Sequence, residues 1–216
     1  MKAEVEESIR SGRVVAIIRG FEPDVCLKLA EAYLSGGIRA VEVTFVQTDR
    51  ALWQKTAAAI SAIRDRFAGE MRVGAGTVLT SEQLKIAHDA GGEFMVAPNV
   101  NPALIRECAA LGMAPIPGAL TPSEVVDAWD AGASFVKVFP AGQMGPGYVK
   151  ALRAPLAHVS LLAVGGITAD NAADFIKAGC AGVAVSGALT NREMIAAGRW
   201  DAIAEVARTL VERTRS

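Results

Sequence analysis

The sequence predicts an α/β fold, a (β/α)8 TIM barrel with an extra N-terminal helix. Short apolar segments recur at regular spacing, segments of helical periodicity lie between them, and no linker or break in composition divides the chain. The length of 216 residues suits a single barrel domain over residues 1–216, because such barrels need roughly 200 residues or more. An open doubly wound sheet uses the same alternation with fewer strands, and it is the alternative.

Eight apolar segments are predicted to be the barrel strands. Most are apolar at nearly every position, which is typical of parallel strands covered on both faces, whereas strands with one wet face alternate. The eight are Val14–Ile18, Ala40–Phe45, Met71–Ala75, Glu93–Ala97, Ala114–Ile116, Ser134–Phe139, Leu161–Val164 and Gly182–Val185.

The segments between these strands carry small or apolar residues at intervals of three and four, which is the period of a helix with one buried face. They are Asp24–Leu34, Arg50–Phe67, Ser81–Ala90, Asn101–Leu111, Pro122–Ala131 and Ala169–Ala178. Lys2–Ser11 is predicted to be the extra helix, which could cover the bottom of the barrel, and Trp200–Arg213 the last outer helix.

Capping residues mark both ends of these helices. Thr121-Pro122-Ser123-Glu124 predicts a capping box with proline at the first helical position, and Asn101-Pro102 predicts a similar cap. Glycine follows several helices, as at Gly37 and Gly132, and supplies the left-handed conformation that closes a helix.

Composition and charge exclude several classes of partner. The net charge is −1 and charged residues make up 21% of the chain, so we expect no nucleic-acid partner, no membrane partner, and a small soluble ligand. Cys26, Cys108 and Cys180 lie far apart, which argues against a disulfide framework or a zinc site and favours a reducing compartment. The N-terminus carries acidic residues and no apolar run approaches a membrane span of ~20 residues, so a cytoplasmic location is expected.

Polar residues at the C-terminal ends of the strands are the candidates for chemistry, because active sites of such barrels lie at that face. The candidates are Arg19, Glu42, Thr44, Thr77, Asn99, Thr121, Lys137, Gly165-Gly166 and Ser186-Gly187.

Lys137 and Glu42 are the least ordinary of these residues. Lys137 interrupts Phe135–Pro140 and Glu42 interrupts Ala40–Phe45, so two opposite charges enter one apolar interior. Desolvation would leave part of the lysine as a neutral amine able to attack a carbonyl, with the glutamate as general acid and base. A buried ion pair, or a lysine whose head reaches solvent, is the structural alternative.

The remaining candidates suit an anionic ligand. Gly165-Gly166 and Ser186-Gly187 follow strands 7 and 8, where barrels often bind phosphate through backbone N–H groups. Arg19 could meet a carboxylate or phosphate, or else pair with Glu42 or Glu22. Thr77 could donate to a substrate carboxylate or form a turn at the start of a helix.

No histidine is expected at the barrel mouth, because His88 falls on a helix and His158 in a loop before strand 7. No cluster of carboxylates and histidines resembles a divalent-metal site, so no metal is predicted and imine chemistry is favoured over a metal-stabilised enolate.

Five motifs occur together and in a characteristic order. They are Glu42-Val43-Thr44-Phe45, Gly74-Ala75-Gly76-Thr77-Val78, Pro117-Gly118-Ala119-Leu120-Thr121-Pro122, Phe135-Val136-Lys137-Val138-Phe139-Pro140 and Gly165-Gly166-Ile167. With them the chain, from about Val14 to Leu189, resembles the KDPG/KHG aldolase family. That family covers the aldolases for 2-dehydro-3-deoxy-6-phosphogluconate, its 6-phosphogalactonate counterpart and 4-hydroxy-2-oxoglutarate.

The resemblance implies a role for eight of these candidates, which are the predicted site residues. It implies that Lys137 is the Schiff-base lysine and Glu42 the proton donor and acceptor. Arg19 and Thr77 would lie near the pyruvoyl carboxylate, with Gly165, Gly166, Ser186 and Gly187 around the phosphate. It also implies a homotrimer without metal or organic cofactor, which cleaves a phosphorylated 2-keto acid reversibly to pyruvate and glyceraldehyde 3-phosphate.

Three positions depart from the family pattern. Val46 stands where some gluconate-type enzymes have arginine, Val164 stands where threonine often precedes the Gly-Gly pair, and Ser186-Gly187 reverses the usual order. Ala163-Val164-Gly165-Gly166 is more similar to the phosphogalactonate-type enzymes. Two other functions remain as alternatives: an isomerase or synthase that uses Glu42 as base and Lys137 as an electrostatic clamp, and a degenerate barrel that binds anions without turnover.

Overall fold

Nine parallel strands form one sheet in the computed structural model, which describes residues 1–215. The strands are β1 (Val14–Arg19), β2 (Ala40–Thr44), β3 (Arg72–Gly76), β4 (Phe94–Val96), β5 (Ala114–Ile116), β6 (Gly118–Ala119), β7 (Val136–Val138), β8 (Leu161–Val164) and β9 (Gly182–Val185). Their order across the sheet is β5-β4-β3-β2-β1-β9-β8-β7-β6.

Pro117 divides the fifth barrel strand into β5 and β6, which stand at the two ends of this order. β5 pairs with β4, and β6 pairs with β7. The carbonyl of Pro115 accepts from Ser134 N at 2.9 Å and that of Pro117 from Lys137 N at 2.8 Å, so both parts of the strand reach the β7 side. Since β5 and β6 follow each other directly in the chain, the sheet closes into a barrel of eight strands, as predicted.

Helices surround the barrel and alternate with its strands. They are α1 (Lys2–Gly12), α2 (Pro23–Ser35), α3 (Trp53–Arg66), α4 (Ser81–Asp89), α5 (Pro102–Ala110), α6 (Pro122–Asp130), α7 (Ala141–Arg153), α8 (Ala172–Lys177), α9 (Arg192–Ala196) and α10 (Trp200–Arg215). A 3-10 turn at Arg50–Leu52 precedes α3. Helices α7 and α9 were not predicted from the sequence. The helix predicted over Ala169–Ala178 is longer than the observed α8.

The apolar residues form two layers, one between strands and helices and one inside the barrel. The inner layer fills the barrel with side chains from alternate strand positions, and Val5 and Ile9 of α1 belong to it. Its largest strand residues are Ile17, Phe94, Ile116 and Leu162, and Phe135, just before β7, packs with them. The extra helix therefore covers the N-terminal end of the barrel, as expected, and leaves the opposite end open.

The predicted caps are present. Thr121 Oγ1 accepts from Glu124 N, and Glu124 Oε2 accepts from Thr121 N at 2.7 Å, which completes the capping box of α6. Asn101 Oδ1 accepts from the N–H groups of the first turn of α5. Gly37 and Gly132 follow α2 and α6 with φ of 94° and 104°, which only glycine adopts readily. Within residues 1–215, no helix is both long and apolar enough to cross a membrane.

Candidate active site

A cavity of about 480 Å³ opens at the C-terminal ends of the strands. All eight of the site residues predicted from the sequence line it: Arg19, Glu42, Thr77, Lys137, Gly165, Gly166, Ser186 and Gly187. They come from β1, β2, β7 and the loops after β3, β8 and β9. Closure of the barrel therefore brings together residues that are as much as 168 positions apart in the chain.

Lys137 is the middle residue of β7, and its side chain points into the barrel towards the cavity. It is only 8% exposed, and its Nζ lies 4.7 Å from the centroid of the Phe139 ring. Burial lowers the pKa of Lys137 below its ordinary value, the positive charge of Arg19 lowers it further, and the Glu42 carboxylate opposes both effects. The site thus favours a neutral amine at this position.

Glu42 is the middle residue of β2 and is 3% exposed. Burial raises the pKa of Glu42 above its ordinary value, and the charges of Lys137 and Arg19 oppose that rise. Its Oε2 has no hydrogen-bond partner in the described part of the chain. A structural ion pair would satisfy that oxygen, so the carboxyl group instead has one oxygen available to a ligand or water.

Two glycines of β3 leave room for the interior side chains beside them. A Cβ at Gly76 would lie 2.3 Å from Glu42 Oε1, and one at Gly74 would lie 2.4 Å from the Phe94 ring. Any larger residue at position 76 would therefore occupy the space that the Glu42 carboxyl group uses.

Arg19 and Thr77 stand on neighbouring parts of the cavity rim. Arg19 ends β1, and Glu22, one of its two suggested ion-pair partners, instead bonds to Lys55 Nζ at 2.6 Å. Thr77 follows β3 with a φ of 54°, which is rare for a β-branched residue. It does not start α4, whose N-cap is Thr80.

The Gly165-Gly166 loop follows β8 with both residues at positive φ. A Cβ at Gly165 would lie 2.9 Å from the Phe139 ring, so the loop packs directly on that side chain. Gly142 N, in the first turn of α7, donates to Gly165 O at 2.7 Å, and Asn171 Nδ2 donates to Gly166 O at 2.9 Å. These contacts hold the loop against the cavity.

Backbone N–H groups without an acceptor occur in two of the loops that line the cavity. The N–H groups of Gly166, Ile167, Gly187 and Ala188 have no acceptor among residues 1–215, and all four residues line the cavity. Two loops with unpaired N–H groups form the kind of concavity that binds anions. Ser186 Oγ donates to Ile17 O at 3.4 Å, so its hydroxyl is turned towards the barrel backbone.

Comparison with known proteins identifies the family. Residues 5–206 match the family model described as KDPG and KHG aldolase. The chain belongs to this family.

Relatives and solved structures agree with that assignment. The chain is 38% identical over 170 residues to 2-dehydro-3-deoxy-6-phosphogalactonate aldolase of Escherichia coli strain K12, covering 78% of this chain and 80% of that one. A solved structure described as native KDPGal superposes with a TM-score of 0.83 at 34% identity, covering 94% of each chain. The KDPG aldolase of Legionella pneumophila, solved with pyruvate captured as a covalent carbinolamine intermediate, has a TM-score of 0.82 at 26% identity, covering 95% of this chain and 97% of that one.

The positions that depart from the family pattern lie in different surroundings. Val164 lines the cavity, whereas Val46 lies in a separate small pocket behind it and its carbonyl accepts from Trp53 Nε1 at 2.9 Å. Of the other polar candidates, Thr44 and Asn99 do not line the cavity, and Thr121 caps α6.

Several residues that line the cavity were not predicted, because the prediction was based on polar residues at the strand ends. Ile17, Pro98, Ile167, Ala184 and Ala188 contribute apolar side chains or backbone, and Thr168 follows the Gly-Gly pair. Phe139 was quoted within the Lys137 motif and Ile167 within the Gly165-Gly166 motif, but neither was selected as a site residue. Neither histidine lies here: His88 is beside Asp89 in α4, and the His158 ring packs edge-on against Trp129. No group of three potential metal-ligating His, Cys, Asp or Glu residues occurs in the described chain.

Proposed function

We propose that this protein is a class I aldolase that reversibly cleaves a 2-keto-3-deoxy-6-phospho sugar acid to pyruvate and glyceraldehyde 3-phosphate. One observation carries the proposal: Lys137 and Glu42 are both buried, line the same cavity, and have pKa values moved towards their neutral forms. A neutral amine beside a carboxylic acid is the pair that imine formation needs. Membership of the KDPG and KHG aldolase family supports the same reaction class.

Imine formation begins when Lys137 Nζ bonds to the C2 carbonyl carbon of the substrate. A proton moves from Nζ to the former carbonyl oxygen, directly or through Glu42, and gives the carbinolamine. The carboxyl group of Glu42 then donates a second proton to that oxygen, which leaves as water. Lys137 now carries a protonated imine and Glu42 is a carboxylate, so proton and charge balance within the pair.

Carbon–carbon cleavage uses the carboxylate that the first stage leaves. Glu42 removes the proton of the C4 hydroxyl, the C3–C4 bond breaks, and its electron pair moves into the imine to form an enamine. Glyceraldehyde 3-phosphate departs as the aldehyde. Glu42 returns its proton to C3, and water then hydrolyses the pyruvate imine to release pyruvate and the free amine of Lys137.

The other cavity residues would hold the two anionic ends of the substrate. Arg19 and the Thr77 hydroxyl suit the carboxylate beside C2, since a guanidinium and a hydroxyl both donate to carboxylate oxygens. The N–H groups around Gly166 and Gly187 suit the phosphate at C6. The Ser186 hydroxyl is directed at a backbone carbonyl, so we expect backbone donors to carry most of the phosphate binding at that loop.

Borohydride trapping tests the imine. Reduction with pyruvate should add one pyruvate-derived group, and peptide mass analysis should locate it on Lys137. Lys137→Ala should abolish both the adduct and cleavage, while Glu42→Gln should slow imine formation and greatly reduce turnover. Insensitivity to borohydride, with no trapped adduct, would favour the isomerase or synthase alternative, in which Lys137 acts only through its charge.

The 6-phosphogalactonate epimer is a second candidate for the main substrate. The valine side chain of Val164, which lacks a hydroxyl group, lines the cavity, and the 38% identical relative is named for that substrate. Coupled measurement of pyruvate release with both C4 epimers and with unphosphorylated 4-hydroxy-2-oxoglutarate separates the candidates. A larger kcat/KM for the galactonate epimer would assign it as the substrate.

The proposal includes a homotrimer in the cytoplasm that works without a metal or organic cofactor. The resemblance described above is its basis, and the absence of a membrane-spanning helix in residues 1–215 is compatible with it. Sedimentation equilibrium of the purified protein measures the trimer, and activity after treatment with a chelator tests the independence from metal.

A further inference from the structure

The backbone of Thr77 is held in an unfavourable conformation at the edge of the cavity. Its φ of 54° brings the Cβ of a β-branched residue close to its own backbone, and such conformations persist only where surrounding contacts enforce them. Val78 N donates to Val96 O at 3.1 Å, which holds the N–H side of the peptide between Thr77 and Val78. A second contact is made to the carbonyl group of the same peptide, Thr77 O.

Two glutamine side chains provide that contact. Gln47 Nε2 donates to Thr77 O at 2.7 Å, and Gln83 Nε2 donates to Gln47 Oε1 at 2.9 Å. Gln83 Oε1 in turn accepts from Leu79 N at 2.8 Å. The two amides therefore form one chain of hydrogen bonds that begins and ends on the loop after β3.

The direction of every hydrogen bond in this series is determined by the two backbone groups at which the series begins and ends. Leu79 N–H can only donate, so the oxygen of the Gln83 amide must face it and the NH₂ group must face Gln47. Gln47 must then present its oxygen to Gln83 and its NH₂ group to the Thr77 carbonyl, which can only accept. Gln83 is fully buried, so reversing this order would leave a buried donor or acceptor without a partner.

We propose that Gln47 and Gln83 are positioning residues, which hold the Thr77 peptide so that its hydroxyl is directed at the carboxylate of the bound keto acid. The inference rests on the proposed function, because it takes Thr77 as a substrate-binding residue. Gln47 itself is exposed and does not line the cavity, so its effect on substrate must pass through Thr77.

Gln47→Met tests the hydrogen bond to Thr77 O, because methionine keeps the side-chain length and removes the donor. We expect the KM for the keto acid to rise about fivefold, as for the loss of one hydrogen bond, with little change in kcat. Gln54→Met is the matched control, since Gln54 is also exposed and lies on α3 away from the cavity. It should leave both constants unchanged.

A double-mutant cycle separates positioning from general stability. In Thr77→Ala, which has no hydroxyl to direct, Gln47→Met should cause no further rise in KM. Gln83→Met should raise KM in the same direction as Gln47→Met, and the two changes together should not exceed the larger one. Thermal unfolding of Gln47→Met should occur at a modestly lower temperature, because the buried Gln83 Nε2 loses its acceptor, so the kinetic constants are compared well below that transition.

The outcomes distinguish the inference from the function on which it rests. If Thr77→Ala raises KM and Gln47→Met does not, or if their effects simply add, the positioning role is wrong and the proposed function stands. If Thr77→Ala leaves KM unchanged, the binding role of Thr77 is wrong and the inference falls with it. If borohydride traps no adduct on Lys137, the proposed function itself is wrong.

Discussion

Lys137 and Glu42 line one cavity, and burial there moves the pKa of each side chain towards its neutral form. Burial opposes the charge on both side chains, while each charge, when present, favours the opposite charge on the other. Because each charge affects the other, the two groups titrate as a coupled pair. A pair of this kind can donate and recover protons in successive steps, which the proposed aldol cleavage requires.

The pH profile of imine formation should respond in opposite directions to two substitutions. The Glu42 carboxylate favours the Lys137 ammonium, so Glu42→Gln should lower the pKa of Lys137 and move the midpoint of trapping to lower pH. The Arg19 guanidinium disfavours that ammonium, so Arg19→Ala should raise the pKa and move the midpoint to higher pH. The measurement is the yield of borohydride-trapped adduct against pH at saturating pyruvate. Arg106→Ala, on the outer helix α5, should leave the midpoint unchanged, and shifts of the same sign would contradict the assignment.

Strand β3 shapes the site although it supplies no reacting group. Its two interior positions are Gly74 and Gly76, and the neighbouring strands fill the space above them with Phe94 and Glu42. Glycine weakens a strand because it leaves more backbone entropy to lose on folding. Here that cost is offset, since a strand without side chains at these positions lets one aromatic ring and one carboxyl group enter the barrel.

Gly76→Ala should therefore impair catalysis more than folding. The added Cβ would lie 2.3 Å from Glu42 Oε1, so the carboxyl group must move away from its present position. We expect kcat to fall at least about tenfold, because a small misplacement of a reacting group is costly. The matched control is Gly147→Ala in α7, where a Cβ meets nothing within 4 Å. Unchanged kcat in Gly76→Ala would show that the position of the Glu42 carboxyl group does not depend on the space left by Gly76.

One end of the barrel contributes to stability, and the other end holds the candidate site. At the N-terminal end, Val5 and Ile9 of α1 are fully buried and pack with the innermost residues of the strands. At the C-terminal end, the same interior opens into the cavity that holds Lys137. A barrel of this kind is a packed core rather than a pore, so the two ends are connected only through the side-chain layers between them.

Ile9→Ala should lower stability and leave catalysis unchanged. Removing a fully buried isoleucine should lower the free energy of unfolding by about 2–5 kcal/mol, because the cavity left behind is only partly refilled. The catalytic constants measured below the unfolding transition should remain those of the wild type. Urea unfolding and steady-state kinetics provide the two readouts, with Glu7→Ala, an exposed position on the same helix, as control. A large loss of kcat at full folding would mean that the helix influences the site.

The strands were predictable, and Lys137 and Glu42 could be selected as candidates, because their signals are local. An apolar segment of five residues is readable without its neighbours, and so is a single charge within it, as at Lys137 and Glu42. Helix α7 escaped prediction because Gly145, Pro146 and Gly147 oppose a helix on propensity, and the backbone is indeed kinked there, with Gly145 at φ 78° and ψ 165° between two helical parts. The division of the fifth strand at Pro117 also depends on the neighbours, since β5 and β6 pair with different strands.

Contacts between distant segments could not be predicted from the sequence. Gln47 and Gln83 are ordinary polar residues in their own segments, and no periodicity or motif joins them. They meet only because parallel pairing of β2 with β3 places the loop after one strand beside the loop after the other. The candidate residues could thus be chosen from residue types, whereas their spacing and orientation depend on barrel closure, which is a property of all the strands together.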